Sequence, residues 1–126
     1  MVLATWRRPF AAAVPWLHAA LLVAVVVQAG LAGAGLLSDP AYLPLHAGFV
    51  HVVEGLVLLA ILAAFLGGDR LAAWSAVALF FLVGFQYGLI RAQGMLRAAH
   101  VLNALLIFAV ALLVLRERVP LRRAAA

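Results

Sequence analysis

The sequence predicts an all-α fold, an integral membrane antiparallel four-helix bundle built from two repeated helical hairpins. Three observations predict it. Of the 126 residues, 69% are hydrophobic and only 10% are charged, whereas soluble domains stay near half apolar. The apolar residues gather into four runs long enough to cross a hydrocarbon core, which takes roughly 20 residues. The second half of the chain also repeats features of the first. Together these point to one four-span transmembrane domain over residues 1–126.

The first span covers about 14–37. Its apolar run exceeds a signal-peptide core, so it is read as retained, although "AGLAGAG" offers the small residues a peptidase accepts. The break "SDPAYLP" (38–44) carries Pro and Asp, ordinary turn chemistry, and leads into a second span over about 44–66. "GGDR" (67–70) stops that helix and starts a third span over about 71–90. "RAQGMLR" (91–97) precedes the fourth, about 98–115. The C-terminal "RERVPLRRAAA" is too short for a domain and reads as an anchor attracted by anionic lipid.

Charge supplies an orientation. All nine basic residues are Arg, and the formal net charge is +5. Their position at the ends of apolar runs argues for membrane topology and against nucleic acid as a partner. Arg7, Arg8, Arg70, Arg116, Arg118, Arg122 and Arg123 fall on one side, and only Arg91 and Arg97 on the other. The positive-inside rule then puts both termini in the cytoplasm. The chain has no Cys, which excludes disulfides, zinc–thiolate sites, thiol nucleophiles and covalent c-type haem.

The repeat is visible as text. "HVVEGLVLLAILAAFL" (51–66) lies on "HVLNALLIFAVALLVL" (100–115), pairing His51 with His100 and Glu54 with Asn103. "QAGLAGA" (28–34) lies on "QYGLIRA" (86–92), pairing Gln28 with Gln86 and Gly30 with Gly88. Leu, Val and Ala matches are uninformative in this composition, whereas Gln, Gly and His matches are not. Two hairpins of equal topology should be related by a pseudo-twofold along the membrane normal. Spans two and four then lie diagonally across the bundle, with His51 and His100 facing each other.

Two facing imidazoles in an apolar bundle suggest axial ligation of haem b iron, and bis-His ligation favours electron transfer over oxygen chemistry. The expected metal ligands are therefore His51 and His100. The glycines, Gly30 and Gly88 among them, would admit a flat macrocycle, and Arg91 and Arg97 would pair with its propionates. Gln28 and Gln86 are candidate contacts to the haem edge, a quinone carbonyl or another helix. Glu54, the only carboxylate within a span, would hydrogen-bond an imidazole or pass a proton to a quinone.

His46 lies five residues before His51, about 140° round a helix, so only one of them can face His100. The text alignment selects His51 and leaves His46 as a loop-end or propionate contact; an irregular start to the helix would select His46 instead. His18 has no His opposite it in span three, and a solvent-facing or helix-pairing role is expected. No residue is assigned a catalytic role.

"LHAGFVHVVEGLVLL" and "AAHVLNALLIFAVALL" resemble an uncharacterised family of small bacterial four-span membrane proteins, with a His near the start of spans two and four. That resemblance implies a multi-pass protein of the bacterial inner (plasma) membrane. The Gln-x-Gly-Leu segment leading to a His-headed span distantly resembles one half of haem A synthase, a four-helix bundle holding haem between two histidines. This resemblance implies ligand roles for His51 and His100. The synthase pattern has Glu three residues before its His and Arg just after, where this chain has Gly48 and Val52, so the synthase's catalysis is not carried over.

The expectation is a membrane b-type cytochrome exchanging electrons with quinol and a redox partner. The alternative is a haem-free structural or accessory subunit of a larger membrane complex, packed in the lipid bilayer. An enzyme of haem or quinone modification has too few carboxylates to support it. A transporter lacks the interrupted spans such proteins use.

Overall fold

The structure, a computed structural model, describes residues 2–118. It consists of four helices, α1 (Val2–Leu37), α2 (Tyr42–Gly67), α3 (Arg70–Arg91) and α4 (Met95–Arg118). All four contain stretches long and apolar enough to cross a membrane, and among the described residues there is no strand. Arg122 and Arg123, with the rest of the expected lipid-attracted tail, lie outside the described residues.

The helices run further than the apolar runs. α1 begins well before residue 14 and passes through Pro9 and Pro15. α2 begins at Tyr42, so Pro44 lies in its first turn. There the missing N–H is one that a helix leaves unpaired in any case, and the proline does not act as a breaker. The connections therefore shrink to residues 38–41, 68–69 and 92–94.

Each turn has its own chemistry. Between α1 and α2 the N–H groups of Ser38 and Asp39 both donate to the Ala34 carbonyl, and Asp39 Oδ1 accepts from the Ala41 N–H at 2.9 Å. Between α2 and α3, Gly68 adopts φ 76°, a left-handed conformation that closes a helix end and favours glycine. Asp69 then caps α3, accepting from the Ala72 N–H at 3.0 Å. Arg118, in the last turn of α4, also donates to Asp69 Oδ1, tying the end of α4 to this turn.

Each helix packs on two neighbours, α1 on α2, α2 on α3, α3 on α4 and α4 on α1. α2 and α4 are therefore diagonal, as the repeat implied. One end of the bundle carries the 38–41 and 92–94 turns; the other carries the 68–69 turn and the outer ends of α1 and α4. Near this second end the packing is rich in alanine, with Ala63, Ala64, Ala72 and Ala73 around Val14 and Val114. Small side chains let helices approach where lipid supplies no hydrophobic drive. The closest approach to another helix's backbone is at Gly67, where a Cβ would stand 2.8 Å from the Ala11 nitrogen. Larger residues fill the middle, among them Leu21, Val57, Leu79 and Ile107.

The outward surface is apolar, with Val23, Leu58, Leu62, Phe81, Leu105 and Leu113 all exposed. Trp16 and Trp74 face outward near the 68–69 turn, at 77% and 69% exposure. Indole rings at that level fit the headgroup boundary of a bilayer.

Candidate functional site

Two groups of polar residues within the helices lie on opposite sides of α2. The inner group surrounds a cavity of about 290 Å³ lined by all four helices toward the end carrying the 38–41 and 92–94 turns. Its polar lining consists of Gln28, His46, Gln86 and His100; the rest is aliphatic, from Val25, Val53, Val83 and Ile107 up to Leu36 and Val101. Gln28 Nε2 donates to the His46 carbonyl at 2.9 Å, and His46 Nδ1–H donates back to the Gln28 carbonyl at 2.9 Å. A carbonyl only accepts, so this exchange fixes both the Gln28 amide orientation and the His46 tautomer. Across the bundle the His46 and His100 rings stand edge to face, with centroids 6.4 Å apart.

The outer group is a chain of three side chains on the α2–α3 face. His51 Nδ1–H donates to Glu54 Oε2 at 2.8 Å, and the Tyr87 hydroxyl donates to Glu54 Oε1 at 2.7 Å. The His51 side chain is 74% exposed and that of Glu54 34%. Glu54 lies at the middle of α2 (Tyr42–Gly67), thirteen residues from its end at Gly67. At the helical rise per residue that is about 20 Å of helix, well within the reach of a hydrocarbon core.

This arrangement corrects the haem expectation. His51 and His100, the expected ligands, do not face each other, because His51 points out of the bundle and spends its Nδ1–H on Glu54. Among the described residues no group of three or more His, Cys, Asp or Glu side chains converges as a metal site. Haem b as cofactor, and the b-type cytochrome built on it, are set aside on that geometry. Arg97 donates to the carbonyl of Ala92 in its own turn, and Arg91 is exposed at the end of α3. Gly30 and Gly88 are exposed and line no part of the cavity.

The two halves correspond in a register different from the one the text suggested. His46, not His51, is level with Gln28, so the pair Gln28 and His46 corresponds to Gln86 and His100. Asn103 and Glu54 part company as well. Asn103 is buried at 6% exposure and donates to the Leu82 carbonyl at 2.8 Å, whereas Glu54 faces out.

Of the two roles expected for His18, the solvent-facing one is excluded, and one further residue, Tyr87, escaped sequence reasoning. His18 is fully buried, its Nδ1–H donating to the Val14 carbonyl at 2.8 Å. The signal was present, since Val14, His18, Leu21 and Val25 recur at helical spacing on one apolar stripe. Tyr87 sits inside "GFQYG", and no local pattern announces its bond to a carboxylate 33 residues away.

A family model described as a family of unknown function, DUF6220, matches residues 28–95, more than half of the chain. The matched segment holds all of His51, Glu54 and Tyr87, and of the inner group everything except His100. No curated protein and no solved structure matches, so the likeness to haem A synthase finds no support.

Proposed function

The chain belongs to DUF6220, a family of unknown function, and from that footing we propose that it is an accessory subunit of a larger membrane assembly, docked through its α2–α3 face. One observation carries this reading, the His51–Glu54–Tyr87 chain exposed at the middle of a membrane-length helix. An acidic side chain at the centre of a span costs about 2.5–3.5 kcal/mol to insert, and such residues face protein or water rather than lipid. Tyr87 and His51 satisfy part of Glu54, yet the group as a whole points away from this chain's own core. The occupant that fits is a transmembrane helix of a larger protein, offering hydroxyl or amide groups to His51 and Glu54 across an otherwise aliphatic contact with Leu58 and Leu62. The net bias of Arg toward the 68–69 turn and the termini supports termini facing the cytoplasm.

Photo-crosslinking in native membranes tests the reading. A photoreactive residue at Leu58 should give one discrete adduct much heavier than twice this chain, and the same group at Leu105 on α4 should give none. The adduct should disappear in Glu54→Leu. An adduct of twice the chain's mass would replace the larger assembly with a homodimer, and no adduct from Leu58 would end the docking reading.

A further inference from the structure

We propose that the cavity among the four helices binds an apolar molecule carrying a hydroxyl group, admitted from the bilayer between α1 and α4. This inference rests on the inner group alone and stands apart from docking through the outer face.

The unpaired atoms define the ligand's polar end. Gln28 Oε1 and Gln86 Oε1 are buried without a hydrogen-bond partner. For Gln28 the assignment is forced, because its Nε2 is held by the His46 carbonyl. A buried acceptor left unpaired is costly, and such atoms in folded proteins mark a bound water, a ligand or a functional group. Both are amide oxygens that only accept, so the missing partner must donate. An ether or ketone offers no such proton. A free amine would bring a charge into a cavity that no carboxylate lines. A hydroxyl supplies that proton without bringing a charge.

The remainder of the cavity defines the ligand's body. Apart from the four polar side chains its walls are aliphatic, and its volume of about 290 Å³ far exceeds the roughly 30 Å³ share of one water in the liquid. Aliphatic walls of this kind favour an apolar guest. Gly33 lines the wall, and a Cβ there would meet nothing within 4 Å. The entrance follows from exposure. Leu36 on α1 and Val101 on α4 line the cavity and are also 75% and 62% exposed at the outer surface, along the loosest of the four helix seams. An opening there meets lipid tails, so the ligand arrives dissolved in the membrane.

The test compares 2-naphthol with 2-methoxynaphthalene, which share a ring system but differ in the hydroxyl proton. Each probe is partitioned between nanodiscs holding the purified full chain and empty nanodiscs. The chain should retain 2-naphthol about tenfold more strongly than the methyl ether, since each tenfold corresponds to about 1.4 kcal/mol. Gln86→Leu should erase that preference, bringing retention of 2-naphthol down to that of the ether. Gly33→Leu should fill the cavity and remove retention of both probes. Should Gly33→Leu fail to fold, the Gln86→Leu comparison still decides. Equal retention of the two probes by the wild-type chain, or retention no greater than in empty nanodiscs, would overturn the proposal and leave the cavity to water.

Discussion

His46 and His51 stand five residues apart on one helix and lead opposite lives. His46 turns inward, exchanges hydrogen bonds with Gln28 and meets the His100 ring across the bundle. His51 turns outward and joins Glu54 and Tyr87 on a face that no other described residue covers. The difference is helical geometry, since five residues advance the side chain by about 140°. It separates two energetic roles. Inner polar groups bind this chain's helices to one another and shape a cavity. Outer ones join α2 to α3 through the Tyr87–Glu54 bond on an exposed face.

The contrast can be broken first where inner packing is tightest. Gly67→Val would drive a side chain into the Ala11 backbone and should lower stability by about 1–3 kcal/mol. Gly84→Val meets open space on an exposed face and should change stability far less. Reversible unfolding in mixed micelles measures both, and equal losses would mean that α1 and α2 do not touch as described. Next in size, Asn103→Leu removes the bond from α4 to the Leu82 carbonyl and should cost about 0.6–2 kcal/mol by the same assay. A neutral result would mean that the Asn103 bond does not hold α4 to α3. Smallest, Tyr87→Phe takes one bond from a partly exposed carboxylate and should shift the purified chain's stability by about 0.5 kcal/mol or less. The same change should weaken the Leu58 crosslink in native membranes. A large loss of stability in the purified chain would mean that the outer chain serves the fold itself.

Much of the architecture was legible because it depends on composition and length. Four apolar runs became four helices, and two hairpins of equal topology put α2 and α4 on the diagonal. Where the sequence misled, the cause was local. Pro44 resembles a helix breaker but occupies a first turn that can do without its N–H. The shared "HV" of residues 51–52 and 100–101 drew His51 onto His100, yet matching letters in an aliphatic chain say little about register. The Gln28–His46 exchange sets the register instead, and it is a contact between helices that no spacing along one helix reveals. Of the expected site residues, Gln28, His46, Gln86 and His100 gather at one cavity. His51 and Glu54 belong to another face, and Arg91, Arg97, Gly30 and Gly88 line neither.

The division between His46 and His51 is tested most directly by cysteine pairs, which this Cys-free chain accepts without background. His46→Cys with His100→Cys, treated with a short bismaleimide, should yield a crosslink within one chain, detected as a joined α2–α4 peptide by mass spectrometry. His51→Cys with His100→Cys should yield single additions only. A His51–His100 crosslink in the absence of a His46–His100 one would contradict the account and restore the register that the text alignment suggested.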